Sequence, residues 1–135
     1  MFTIDTLSRQ PVYEQLIEQL EQSILSGALH PGDQLPSVRM LSTTLSINPN
    51  TIQKAYGDLD TRGIIYSSPG IGNFVAENAV TILSSLKRRK ITDFCALAKE
   101  LALAGVSEKE LHESISFLYN GGVPDDVQGD WLITI

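Results

Sequence analysis

Asn48 to Gly63, read as NPNTIQKAYGDLDTRG, is the stretch that decides the fold. Asn48 supplies a cap oxygen, Pro49 suits a first helical position, and Gly63 ends the segment as a left-handed cap. Between them Ile52, Ala55, Tyr56 and Leu59 recur at i, i+3, i+4 and i+7, the spacing of one buried helical stripe. Just upstream, a His30-Pro31-Gly32-Asp33 turn precedes Ser37, which is expected to cap a short helix whose Val38, Leu41 and Leu45 point inward. Further back, Pro11 to about Ser26 reads as an amphipathic helix, with Pro11 at its first position and Gly27 stopping it. Val12, Leu16, Leu20 and Ile24 form its stripe, Ile17 and Leu25 widen it, and Glu14, Gln15, Glu18, Gln19, Glu21 and Gln22 are expected to face water. Downstream, Ile64-Ile65-Tyr66 and Phe74-Val75 read as short strands joined through Ser68-Pro69-Gly70-Ile71-Gly72. Three helices and a hairpin within about the first 77 residues is the order of a winged helix-turn-helix.

In that architecture the second helix of the pair enters the major groove and reads base edges with its N-terminal residues. If Ile52, Ala55, Tyr56 and Leu59 face the core, then Asn50, Gln53, Lys54 and Gly57 face outward. Asn and Gln amides pair bidentately with adenine, and Lys reaches guanine or phosphate. A plain polar helix face is the alternative. Gly57 costs a helix roughly 1 kcal/mol relative to Ala, so close approach of a neighbour is expected there. Asn48 and Thr51 serve as cap and first-turn residues, or as part of a phosphate site at the helix N-terminus. Arg39, one turn into the preceding helix, either forks onto a guanine or phosphate or pairs with a neighbouring acid. Ser37 is a cap under both readings. The uncharged tip Pro69-Gly70-Ile71-Gly72-Asn73 is either a tight turn needing positive φ or a wing whose bare backbone enters a minor groove.

The 135 residues suit one ordinary domain or a small domain with an appendage. Apolar residues at 42% and charged residues at 19% exclude wholesale disorder. Ten basic against sixteen acidic residues give a net charge of −6, which by itself argues against a nucleic-acid partner. The distribution answers that objection. Between Gln34 and Ala76, Arg39, Lys54 and Arg62 stand against Asp58 and Asp60, a local balance of +1. Few phosphates are then neutralised per subunit, so a modest salt dependence and a dimeric site are expected. The single Cys95 suits a reducing cytoplasm, no signal peptide is read at the N-terminus, and no apolar run approaches the ~20 residues of a membrane helix.

Beyond residue 77 the character changes. One long helical stretch is expected from about Ala79 to Ala104, ended by Gly105, and Ser107-Glu108-Lys109-Glu110 is a capping box opening a second helix toward Tyr119. Leu83, Leu86, Phe94, Leu97 and Leu101, with Leu111, Ile115 and Leu118, offer apolar surface for a symmetric dimer or for packing on the winged helix. Lys87-Arg88-Arg89-Lys90 reads as a solvated run, with flanking DNA as the other reading. Trp131-Leu132-Ile133-Thr134-Ile135 reads as a strand candidate. Cys95, His30 and His112 have no metal or nucleophile spacing, and Cys95 is expected to pack among apolar neighbours. Asp125, Asp126 and Asp130 lack the glycine and glutamate of a calcium loop.

The run Pro31-Gly32-Asp33-Gln34-Leu35-Pro36-Ser37-Val38-Arg39, then Asn50-Thr51-Ile52-Gln53-Lys54-Ala55-Tyr56, Leu59, Gly63-Ile64-Ile65 and Gly70-Ile71-Gly72-Asn73-Phe74-Val75 resembles the N-terminal domain of GntR-type transcription regulators. Pro11-Val12-Tyr13-Glu14-Gln15-Leu16 matches as well, so the likeness covers roughly residues 9 to 77. The short C-terminal part is similar to the YtrA-like branch, whose members lack a large effector domain. By that resemblance Arg39, the segment Asn48 to Thr51, Gln53 and Gly70 are DNA contacts. Many relatives carry an Arg or other polar residue before the Thr of the recognition helix and a Ser at its cap. Here the run is Asn48-Pro49-Asn50-Thr51, so the operator sequence does not carry over.

The expectation is a mainly α protein with a small β-hairpin: a winged helix-turn-helix over 1–77 and a two-helix dimerisation unit with a tail over 78–135. Its expected function is sequence-specific binding of double-stranded DNA by a cytoplasmic homodimer, with repression from a palindromic operator. The expected DNA-binding set is Ser37, Arg39, Asn48, Asn50, Thr51, Gln53, Lys54, Gly70 and Gly72, with no catalytic residue, metal, cofactor or membrane partner. A small-molecule effector is left open. The alternative is a winged helix used as a protein–protein module, which would call for aromatic or aliphatic anchors where Asn50, Gln53 and Lys54 stand. A DNA-binding fragment of a larger fused enzyme is a third reading, against which the capped second helix and the lack of a long linker argue.

Overall fold

The computed structural model describes residues 2–121. Its elements are α1 (Val12–Leu25), α2 (Val38–Leu45), α3 (Pro49–Thr61), β1 (Ile65–Ser68), β2 (Gly72–Val75), α4 (Ala79–Arg88), α5 (Ile91–Leu103) and α6 (Glu108–Tyr119). They fall into two compact units, one ending at Arg88 and one beginning at Arg89. The expected tail strand at Trp131 to Ile135 and the three aspartates near it lie outside the described residues.

In the first unit the helical stripes meet in one core. Leu16, Leu20 and Ile24 of α1, Leu41 of α2, and Ile52, Ala55, Tyr56 and Leu59 of α3 are buried together, as their spacing required. Val38 and Leu45 pack half-buried at its edge, whereas Leu25 is exposed. Pro11 is the cap residue of α1, one position earlier than expected. Ser37 Oγ accepts from the Met40 N–H at 3.0 Å, and Asn48 Oδ1 from the Asn50 N–H at 2.9 Å, which starts α2 and α3 where their sequences said.

Strands β1 and β2 pair antiparallel, with Ile65 opposite Val75 and Ser68 opposite Gly72. Residues 32–35 run beside β2. The Leu35 N–H donates to the Asn73 carbonyl at 2.8 Å, the Gly32 N–H to the Val75 carbonyl at 2.8 Å, and the Val75 N–H to the Asp33 carbonyl at 2.9 Å. The hairpin is thereby fastened to the segment that leads into α2. Tyr66 and Phe74 stack across it with ring centres 5.5 Å apart.

Two residues of α1 expected in water are buried, Gln15 and Glu21. The Gln15 side chain accepts from the Asp5 N–H at 2.9 Å and donates to the Asp5 and Gln10 carbonyls, each at 2.9 Å. One turn on, Gln19 exchanges hydrogen bonds with both backbone groups of Thr3. Two amides four residues apart thus substitute for a strand partner and lay the N-terminal arm along α1, where Phe2 reaches the core.

The single long helix expected from Ala79 to Ala104 is two helices, broken at Arg89 and Lys90. Ala79 and Leu83 are fully buried in the winged-helix core and Leu86 is packed against it, so α4 belongs to the first unit. This places the division between units after α4, not at residue 77 as the sequence had suggested. The helix ends where its apolar stripe Ala79, Leu83 and Leu86 runs out.

In the second unit Gly105 takes φ +95° and the Val106 N–H closes back on the Leu101 carbonyl at 3.0 Å. Ser107 Oγ then accepts from the Glu110 N–H at 3.2 Å and opens α6. Neither α5 nor α6 contains a buried residue. Phe94, Leu97, Leu101, Leu111, Ile115 and Leu118 line an apolar cleft of about 170 Å³. Cys95 is exposed, contrary to expectation, because it lies off that apolar face.

Candidate nucleic-acid interface

Burial of Ile52, Ala55, Tyr56 and Leu59 leaves Asn50, Gln53, Lys54 and Gly57 exposed along the other side of α3. The amide of Gln53 opens onto a cleft of about 250 Å³ shared with Gly57, Asp60, and Ser67 and Asn73 of the hairpin. Gly57 has no neighbour within 4 Å of where a Cβ would stand. The close approach expected there is absent within the chain, and the glycine leaves the outer surface of α3 open. Thr51 is half-buried, and its N–H donates to the Asn48 carbonyl at 3.0 Å.

Arg39, the second residue of α2, is exposed and forms no ion pair among the described residues. The surface ion pair considered for it is therefore not made. Beside it Met40 is 54% exposed, an outward apolar side chain that the inward-facing pattern of α2 did not single out. Tyr56 ties α3 to the segment that leads into α2, its hydroxyl donating to the Pro36 carbonyl at 2.5 Å. Burial pushes that phenol far above its ordinary range, so it stays a donor.

At the hairpin tip Gly70 takes φ +76° with open space around it. Gly72 differs. It takes φ +143°, and a Cβ there would stand 2.6 Å from Gln34 Nε2, which donates to the Ile71 carbonyl at 3.0 Å. Its lack of a side chain has an intramolecular cause, the strut between residue 34 and the hairpin.

Electrostatics divide the basic groups in two. Arg62, counted in the local balance of +1, is engaged: it lies 2.7 Å from Glu21 and 2.7 Å from Asp58. Lys87 lies 2.9 Å from the same Glu21 carboxylate. Burial alone would raise the Glu21 pKa, but hydrogen bonds from Lys87 and Arg62 and their charges hold it below the usual carboxylate range. Arg39 and Lys54 remain as the unpaired cations of α2 and α3. Lys54 stands over the Tyr13 ring, 3.8 Å from its centre, a contact with no signature in the helical spacing. Among the described residues no group of three or more His, Cys, Asp or Glu side chains is placed to hold a metal ion, and no helix is long and apolar enough to cross a membrane.

Comparisons with known proteins bear on the family and the fold. Residues 12–75 match the family described as "Bacterial regulatory proteins, gntR family". The "HTH-type transcriptional repressor YtrA" of Bacillus subtilis (strain 168) is 42% identical over 130 residues, which cover 93% of this chain and 100% of that protein. The chain belongs to the gntR family. A "GntR family transcriptional regulator from Listeria monocytogenes" superimposes on this GntR protein with a TM-score of 0.69 at 29% identity, covering 81% of this chain and 96% of that one. The crystal structure of "AraR(DBD) in complex with operator ORX1" superimposes with a TM-score of 0.50 at 35% identity, covering 56% of this chain and 93% of that one. The winged-helix fold and the resemblance carried by the motifs around Arg39 and Gln53 are borne out. This GntR protein is a DNA-binding transcription regulator, one of a family of bacterial regulatory proteins.

Proposed function

We propose that this GntR-family regulator acts in the cytoplasm as a homodimeric repressor that reads a palindromic site in double-stranded DNA. The observation that carries the reading is the exposure of Asn50 and Gln53 on α3, with Gln53 sharing a cleft with the hairpin, together with an exposed Arg39 on α2 that makes no ion pair among the described residues. Asn50 and Gln53 would read base edges in the major groove, and Arg39 a guanine or a phosphate. Ser37, Asn48 and Thr51 set the N-termini of the two helices against the backbone, where free N–H groups favour phosphate. Gly70 and Gly72 shape the tip that would enter the adjacent minor groove. Lys54 adds a cation to the same face.

The second unit supports the dimer, since a two-helix hairpin with no buried residue and an apolar cleft needs a second surface. Two-fold symmetry then calls for inverted half-sites ~10 bp apart or a multiple of it. The cleft of about 170 Å³ is below the ~300 Å³ of ordinary ligand pockets, so an effector held by the second unit would need a site shared between subunits. Fluorescence anisotropy of duplex DNA from upstream of the protein's own gene, against a scrambled duplex, tests the proposal. Preference for the native duplex, lost in Arg39→Ala while the dimer persists, is the expected result. Equal weak binding to both by the wild type counts against it.

A further inference from the structure

Tyr13, second residue of α1, and Lys54, in the second turn of α3, meet as ring and cation, the ammonium 3.8 Å from the ring centre. Tyr13 is half-buried at the edge of the core. Lys54 is exposed and forms no ion pair among the described residues. An aromatic face attracts an ammonium through its quadrupole and leaves the N–H donors free for an anion. Carboxylates do the opposite to Arg62 and Lys87, whose charges they neutralise.

Position along α3 says which anion. Successive helical residues are rotated by about 100°. Gln53 lies on the flank beside the hairpin, where it shares a cleft with Ser67 and Asn73. Lys54, one step on, lies on the opposite flank, against α1. Asn50 falls between them on the exposed arc. A helix seated in the major groove meets base edges along its middle and the sugar–phosphate strands along its sides. The ring also restricts a side chain that otherwise loses much rotamer freedom on binding.

We infer that Tyr13 is a positioning residue that presents Lys54 to a backbone phosphate, so that Lys54 carries affinity while Asn50 and Gln53 carry base discrimination. The inference rests on the DNA-binding function proposed above.

The test uses the full-length chain and a duplex enriched by the wild type from random-sequence DNA, with single-base-pair variants of one half-site. Affinities would be measured over a range of salt for wild type, Lys54→Ala, Tyr13→Phe, Tyr13→Leu and the Tyr13→Leu/Lys54→Ala double variant. Lys54→Ala is expected to weaken all duplexes by one common factor and to lower the salt slope by about 1 per subunit. Tyr13→Phe keeps the ring and should bind as wild type. Tyr13→Leu should lose about two- to fivefold, uniformly, and should lose nothing further once Lys54 is Ala. A loss of discrimination at one base pair in Lys54→Ala would make Lys54 a base reader and overturn the assignment. Equal losses from Tyr13→Leu with and without Lys54 would make Tyr13 merely structural and overturn it too. If the wild type enriches no sequence, the function itself fails, an outcome distinct from both.

Discussion

Arg62, at the end of α3, donates to the Glu21 carboxylate of α1 across 2.7 Å, although the two are separated by 41 residues in sequence. The Glu21 side chain is only 6% exposed, and its other oxygen takes Lys87 from the last turn of α4. One carboxylate therefore ties three helices together. It also withdraws two cations from the charge available to DNA.

Glu21→Gln is expected to lower stability by about 2–3 kcal/mol, the size of lost charge-assisted hydrogen bonds to partly exposed partners. Urea unfolding of variant and wild type would measure it. Because the folded protein holds the Glu21 pKa below its unfolded value, the contribution is complete above the unfolded pKa, about 4.3. It is lost as pH falls through the lowered value. The stability difference should shrink as the pH drops below about 4.

With Arg62 and Lys87 engaged, Arg39 and Lys54 are the cations of α2 and α3 left for phosphates. The proposed dimer would then neutralise about four, and log K should fall against log salt with a slope of about −4. A slope near −9 would instead bring Arg88, Arg89 and Lys90 into contact with flanking DNA. Titrations at three salt concentrations separate the two.

Gly57→Ala separates folding from binding. Nothing lies within 4 Å of the added Cβ, so the helix should gain about 0.5–1 kcal/mol in thermal or urea unfolding. The same methyl stands on the face proposed to meet DNA, where a misfit of about 1–3 kcal/mol is expected in binding. Gain of both stability and affinity would place DNA elsewhere.

The second unit is open to a direct test of association. Phe94 and Leu97 are 54% and 53% exposed and line its apolar cleft. Leu97→Glu should raise the dimer dissociation constant at least tenfold in sedimentation equilibrium, from burying an unpaired charge, while the winged helix keeps its fold.

Periodicity and caps made the winged helix legible. The stripe Ile52, Ala55, Tyr56 and Leu59 fixed the buried side of α3, and so the outward residues, before any packing was known. Ser37, Asn48 and Ser107 stand at helix starts where side-chain oxygens were needed. What stayed hidden depends on partners distant in sequence. Glu21 and Gln15 fit a water-facing pattern and are buried because a cation pair and the N-terminal arm satisfy them. The break at Arg89 and Lys90 follows from where α4 runs out of core, which a continuous helical pattern does not record. The Tyr13–Lys54 contact joins two helices and leaves no trace in the spacing of either.

The most direct test of the account is selection of duplexes from random-sequence DNA by the wild type and by Asn50→Ala/Gln53→Ala, followed by sequencing. The account predicts that the wild type enriches inverted half-sites ~10 bp apart, or a multiple of it, and that the variant enriches no such motif while remaining folded and dimeric. An identical motif selected by both proteins, or no motif selected by the wild type, would contradict it.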